Sequence, residues 1–445
     1  MSRLPSPGSD NGTWGQILND FLSVEHNADG TLKLRNDGSL NSLFDAAGSA
    51  DAARAAAIAD AASKYQTKTF INVKDFGAKG DATANDTAAI QAAINYANSL
   101  TEGAHNQIVG GVVYFPSGFY ITDTLTLLDN VYLHGGRIGN EGYRAAPAKL
   151  VPSSAVTGTS FMITQGASVR NAGIIGFSMY GQGGTTTTGC INLPNATNVV
   201  VSACYIDNWG AEALILGGGD CVLSYNNLTG LLNTGAVNSQ RGAATISGGD
   251  HQISHNEFTG PSQYAVSSTN LYCAGALINT YSAEFDHCVF QTADVGCVIS
   301  GGACNRFVGC RFDTNAGHGL MCSSGTSNIF AGCAWNRNSY SGAGNYDHIN
   351  VPSGGGSLMY FDAPLMNNQS GPAVRYCIND QKSSATYHNT YLYPHGDLGV
   401  SGLSSLASSN ASVIVNVPGA SIISGVYLSQ TLAANGAVTF NAASA

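Results

Sequence analysis

Nine copies of one short pattern run through the middle of this chain. An apolar residue is followed three positions later by a smaller one, and two positions after that by a second apolar residue. The clearest copies are Phe285-Cys288-Phe290, Phe307-Cys310-Phe312 and Phe330-Cys333-Trp335. Ile174-Phe177-Met179, Val201-Cys204-Ile206, Leu223-Asn226-Leu228 and Ile253-Asn256-Phe258 precede them, and Tyr360-Ala363-Leu365 and Tyr387-Thr390-Leu392 follow. The last anchors are spaced 27, 22, 30, 32, 22, 23, 30 and 27 residues apart. A short, slightly elastic period with brief strands in each unit is the signature of a β-solenoid. The extra residues of the long units have to leave the coil as loops.

Composition agrees with a stack of uncharged strands joined by tight turns. Of 445 residues 55 are glycine, and only 10% are charged. A repeat array also removes the usual link between length and domain number, because each coil contacts only its neighbours. The net charge of −10 excludes a basic nucleic-acid footprint. No apolar run approaches 18 residues, so no membrane insertion is expected. The first residues, MSRLPSPGSDNGTWGQ, lack the apolar segment of a secretory signal.

The eleven cysteines all fall between positions 190 and 377, inside the repeat. Cys204, Cys288, Cys310 and Cys333 share one position of the pattern, and Asn226 and Asn256 fill it in the coils between. This predicts an inward stack of free, buried thiols.

Four regions follow. Residues 1–45 are rich in Pro, Gly, Asn and Asp, with an apolar stripe of Trp14, Ile17, Leu18, Phe21 and Leu22 at helical spacing. The segment GTWGQILNDFLSVEHNADGTLK within them resembles one found near the N-terminus of many bacteriophage tail fibre and tail spike proteins. Residues 46–69 read as an Ala-rich helical neck, marginal alone but able to pack in a bundle. Residues 70–395 form the solenoid. Residues 396–445 read as a small C-terminal β cap or trimerisation region.

The opening of the solenoid, FINVKDFGAKGDATANDTAAIQAAINYANS followed by GGVVYFPSGFYITDTLTLLDNVYLHGG, closely resembles the start of pectate-lyase-like right-handed β-helices. The fold class this implies is all-β, a single-stranded right-handed parallel β-helix. Its N-terminal helix, capped at Asn85 or Asp86 and presenting Ile90, Ala93, Ile94 and Ala97, covers the open end of the first coil. Asp81 and Asp86 are therefore read as structural.

Stacked coils turn distant residues into neighbours, and the candidate chemistry lies in such columns. Asp294 and Asp313 occupy adjacent coils, with His318 just beyond. Rungs about 5 Å apart place the two carboxylates within the range that glycosidases use. Gly317-His318-Gly319 also resembles an element of polygalacturonase-type glycoside hydrolases, although that family's companion motifs are missing here. Asp207, Trp209 and Glu212 suit sugar binding if the indole is exposed, and otherwise Trp209 fills a gap between loops. Glu257, Tyr264 and Tyr340 are further candidates for substrate contact. His255 and His287 lack a convergent third and fourth ligand, so they read as a stacked pair. No metal or cofactor is expected.

Together these features resemble a phage tail spike or receptor-binding protein. The resemblance implies a homotrimer, attachment to tail or baseplate proteins through the N-terminus, and a host cell-surface polysaccharide as partner. It also implies synthesis in the host cytoplasm and residence in the virion tail. A polysaccharide depolymerase, either glycoside hydrolase or lyase, and a purely structural or adhesive filament component are the alternatives.

Overall fold

The computed structural model describes residues 15–16, most of 70–396, 404–406 and 413–415. Within 70–396 the exceptions are 103–106, 109, 138–145, 183–187, 232–240, 261–272, 342–343, 368–372, 383–388 and 393–394. The chain divides into two units, Met1–Lys68 and Thr69–Ala445. The apolar stripe of the leader and the Ala-rich neck lie outside the described residues.

The second unit is a right-handed parallel β-helix. Each coil lays one strand on each of three parallel sheets of 13, 12 and 12 strands. Sheet I, the largest, runs from Phe70–Asn72 to Val413–Val415. Sheet II runs from Asp81–Asn85 to His395–Gly396, and sheet III from Leu125–Leu127 to Ser404–Leu406. Parallel pairing thus continues past the boundary drawn at 395, through Ser404–Leu406 and Val413–Val415. No helix among the described residues is long and apolar enough to cross a membrane.

The repeated anchors become ladders of like side chains. Phe285, Phe307, Phe330, Phe361 and Tyr391 stack at 4.4, 4.6, 4.5 and 4.7 Å between ring centroids. Phe258, Phe290, Phe312 and Trp335 form a second file at 5.1, 5.0 and 5.0 Å. The last two copies read from the sequence need correction. Phe361, not Tyr360, pairs with Phe330, and Met366, not Leu365, pairs with Trp335. Tyr391 then takes the sheet I anchor position, and Leu392, read as the last anchor of its copy, lies on the same sheet I strand; Tyr387 lies outside the described residues. Tyr360 and Leu365 are exposed.

Three turns close each coil. The turn from sheet III to sheet I is tight and left-handed, at Asn171, Asn198, Asp220, Asp250, Ser282, Cys304, Ser327 and Leu358. The turn from sheet I to sheet II is also a single left-handed residue, filled by Gly332 and by Gly309, where a Cβ would come to 3.0 Å from the His287 ring of the preceding coil. The turn from sheet II to sheet III is the variable one. It takes three residues between Gln291 and Val295 but eleven between Thr229 and Arg241, thirteen between Thr259 and Cys273 and twelve between Asn336 and Ile349, the long repeat units.

Polar ladders pair the backbone groups that the turns strand. Asn226 donates from Nδ2 to Val201 O at 2.8 Å and to Asn256 Oδ1 at 2.9 Å. Asn305 and Asn328 repeat this at a second turn, and Asn315 and Asn338 at the third. The thiols of Cys288, Cys310 and Cys333 continue the Asn226–Asn256 column, donating to Ile253 O, Phe285 O and Phe307 O. All three are free and buried. At the N-terminal end, helix Thr87–Asn98 buries Ile90, Ala93, Ile94 and Ala97. Asp86 Oδ1 and Oδ2 accept from Lys79 N and Gly80 N, and Asn85 Oδ1 caps Thr87 N at 3.0 Å. Asp86 therefore holds the preceding turn rather than the helix end.

Candidate functional site

Side chains that point outward from sheet II line up in register. Tyr180 pairs with Asp207, Thr229 with Thr259, and Thr259 with Gln291. Gln291 pairs with Asp313, Asp313 with Asn336, and Asn336 with Asn367. The result is a continuous polar file. Lateral bonds hold it in order: Gln291 donates to Glu257, Asn336 Nδ2 to Asp313 Oδ1 at 3.1 Å, and Tyr205 Oη to Asp207 Oδ2 at 3.1 Å.

Beside this file, at the variable turn into sheet III, lies a row of ionisable groups. Arg241 pairs with Cys273 on sheet III, and Asp294 follows in the next coil, accepting from Cys273 N through Oδ2 at 3.2 Å. Tyr346, Asp347 and Arg375 continue the row in later coils. Arg241 forks onto the Glu212 carboxylate through Nε, at 2.7 Å, and Nη2. Arg375 does the same to Asp347, Nε to Oδ1 at 3.0 Å and Nη2 to Oδ2 at 2.6 Å. Such two-point bonds fix both planes and make the guanidinium groups rigid.

Asp294 is the unusual member. It is buried, and among the described residues its Oδ1 has no hydrogen-bond partner. Burial pushes its carboxyl up to about 6, against the pull of the Cys273 N–H. Its charge in turn helps push the Tyr346 hydroxyl up, after the larger effect of burial. His318 lies edge-on to Tyr346 at 5.4 Å. Its Nδ1 accepts from Asp347 N at 3.0 Å, which assigns the ring proton to Nε2. Burial lowers its pKa to about 4, so the ring is neutral at pH 7. Asp347 is spent on Arg375 and on Tyr376 N, so its 3.7 Å approach to His318 is not an ion pair. A carboxyl that keeps its proton close to neutral pH, beside a neutral imidazole that donates from Nε2, can serve as acid and orienting donor.

The residues singled out from the sequence fall into groups. Asp294 and His318 share this site, since Gly317 N donates to Asp294 O and Gly296 N to His318 O. Asp313 looks elsewhere. It accepts from Asn336, Thr314 and Arg337 and lies 3.6 Å from Arg311. Trp209 is a correction: it is fully buried and donates from Nε1 to Met179 O at 3.3 Å, so it offers no face to a sugar. Glu212 is buried and committed to Arg241, which corrects its reading as an open sugar contact. Asp207 and Glu257 stand part-exposed along the polar file, and Tyr340 is exposed. Tyr264 lies outside the described residues. Arg241, Asp347 and Arg375 were missed; Arg241 opens the sheet III strand Arg241–Gly249, and Asp347 and Arg375 lie two and three positions before the strands Ile349–Val351 and Ile378–Asp380.

Residues 70–321 match the family described as Rhamnogalacturonase A/epimerase, pectate lyase-like, and the chain belongs to it. Among curated proteins it is similar to mannuronan C5-epimerase AlgE3 of Azotobacter vinelandii, 43% identical over 76 residues. That stretch is 15% of this chain and 4% of the epimerase, so the chain spans a small part of its curated relative. Among solved structures, PfbA, a surface adhesin of Streptococcus pneumoniae, superposes with a TM-score of 0.54 at 16% identity, covering 72% of this chain and 84% of the adhesin. The enzymatically active domain of bacteriophage CBA120 tailspike protein 2 superposes at 0.52 and 14% identity, covering 77% and 51%. At these identities the two likenesses concern the fold.

Proposed function

We propose that this protein is a phage tail-spike or receptor-binding protein that recognises host cell-surface polysaccharide along sheet II. The observation that carries the reading is the polar file from Tyr180 to Asn367. Seven steps of about 4.8 Å make it roughly 34 Å long, which suits an extended polymer rather than a small molecule. Amide, hydroxyl and carboxylate groups held in register by their neighbours are pre-ordered partners for sugar hydroxyls, and this lowers the ordering cost of binding. The flanking turns add the fixed cations Arg241 and Arg375 and the exposed ring of Tyr340. The tail-spike-like leader supports attachment to tail or baseplate proteins, a homotrimeric assembly and a place in the virion tail.

A depolymerase is the second reading, and Asp294 favours it. In that case Asp294 acts as the acid and His318 and Tyr346 orient the sugar, while Asp313 of the adjacent coil serves as the second carboxylate only if substrate displaces its bonds to Asn336, Thr314 and Arg337. One experiment separates the readings. Purified full-length chain is incubated with host capsule or cell-wall glycan, and glycan retention, new reducing ends and absorbance from unsaturated uronates are measured. Retention alone indicates a receptor-binding protein. New ends indicate a hydrolase, and new ends with absorbance indicate a lyase. Neither retention nor cleavage refutes the proposal in favour of a structural filament.

A further inference from the structure

The one-residue turn between sheets I and II is left-handed in successive coils. Glycine or alanine fills it at Gly176, Ala203, Gly309, Gly332 and Ala363. Three consecutive coils instead carry Tyr225, His255 and His287, with φ of 55°, 54° and 48°. Side chains larger than alanine are less common in that region of backbone space, although histidine is among those that tolerate it. They stack in line, Tyr225 on His255 at 4.9 Å and His255 on His287 at 5.4 Å, with interplanar angles of 18° and 12°. Rings stacked along the coil axis present edges to solvent, so the column is no platform for a sugar face. Edges carry the imidazole nitrogens.

The sheet I strand Glu284–Asp286 ends beside this column. Asp286 Oδ1 lies 2.7 Å from His287 Nδ1. One donor atom from each of His255, Asp286 and His287 lies within 4.8 Å of the other two. The sequence suggests only the two imidazoles, and the fold supplies the third donor.

We propose that His255, Asp286 and His287 form a surface site for a divalent transition metal such as Zn²⁺ or Ni²⁺, clipping two adjacent coils together. Two imidazoles and a carboxylate are the donor set of zinc sites with one open position, and imidazole selects against Ca²⁺ and Mg²⁺. Ligands of one tetrahedral ion with bonds of about 2.0–2.1 Å stand about 3.3 Å apart. The donor atoms here already lie within 4.8 Å of one another, about 1.5 Å or less beyond that spacing. His287 and Asp286 have the room, with side chains 61% and 38% exposed. The site lies at the turn that precedes the sheet II strands, whereas the polar file runs along their last residues, such as Thr259 and Gln291.

The test uses full-length protein stripped with chelator and titrated calorimetrically with ZnCl₂, NiCl₂ and CaCl₂. One equivalent of Zn²⁺ or Ni²⁺ is expected to bind with micromolar affinity and raise the melting temperature, while Ca²⁺ gives neither. His255→Asn and His287→Asn keep a residue that tolerates the left-handed turn. Each is expected to weaken binding at least tenfold without changing the metal-free melting temperature by more than a few degrees. Tyr225→Asn is expected to bind normally. Asp286→Asn, which leaves both imidazoles in place, separates loss of a ligand from loss of folding, and weakened binding is expected there too. Absence of binding in the wild type, or equal binding in the His255→Asn/His287→Asn double variant, would overturn the proposal.

Discussion

Replacing Asp294 by Asn probes the candidate site through stability, with no knowledge of the substrate. Burial raises the Asp294 carboxyl from 3.8 to about 6. Below pH 3.8 both the native and the unfolded chain hold this proton, and the group contributes nothing. Between 3.8 and 6 the unfolded chain releases the proton while the native chain retains it, so stability falls as pH rises. Above 6 the full cost is present. About two pK units correspond to ~3 kcal/mol at most, and to ~2 kcal/mol once residual hydration of the carboxylate is allowed for. Asn keeps an oxygen for Cys273 N but turns its amide into the position of the unpartnered Oδ1, which costs ~1 kcal/mol at every pH. Asp294→Asn is therefore expected to be slightly less stable than wild type at pH 4.5 and more stable at pH 7.5. The swing is ~2 kcal/mol, or about 3 °C for a chain of this size. His318 has the opposite sign. Its pKa is lowered to about 4, so its contribution is lost as pH falls from 6.5 towards 4. That loss is common to both proteins and cancels in the difference. Thermal unfolding of the pair at the two pH values is the assay. A gap that is the same at both would refute the assignment of a buried, strained carboxyl.

Phe307→Ala, which empties the stack between Phe285 and Phe330, is expected to cost about 3–5 kcal/mol by chemical denaturation. Trp335→Phe is expected to cost less than ~1.5 kcal/mol in the same measurement, because the buried Trp335 Nε1 has no acceptor to lose. Brief maleimide treatment of native protein is expected to label Cys304, the one exposed cysteine of the eleven, and to spare Cys288, Cys310 and Cys333. Cys310→Asp places an unpaired charge in the core and is expected to cost several kcal/mol, read as loss of soluble folded protein. Light scattering is expected to return three times the chain mass of 45.8 kDa, and a stable monomer would rule out the trimer.

The fold was legible because its period is carried by large side chains that have nowhere else to go. Phe285, Phe307 and Phe330 mark one sheet, and Phe290, Phe312 and Trp335 the next. The thiol column followed from the same alignment. The reading slipped at Tyr360-Phe361 and Leu365-Met366, where adjacent apolar residues let either one serve as anchor. Backbone pairing decides between them, and composition does not. The site was half legible. Asp294 and His318 were visible as outliers beside the repeat. Their partners Tyr346, Asp347 and Arg375 reach them across a turn of variable length, which breaks any fixed spacing. Trp209 was left open between sugar platform and gap filler, because nothing local shows that its turn folds the indole inward onto Met179. The third ligand candidate at His255 and His287 was hidden for a different reason. Asp286 is adjacent in sequence to His287, but its approach to His255 exists only once two coils are stacked.

The most direct test of the account is a binding isotherm of host surface polysaccharide on the wild type and on a Gln291→Ala/Asn336→Ala variant of the polar file. The His255→Asn/His287→Asn variant, altered at the opposite edge of sheet II, serves as control. The account predicts saturable binding by the wild type and the control, and at least tenfold weaker binding by the file variant with its melting temperature retained. Equal affinity in all three, or no binding by the wild type, would contradict it.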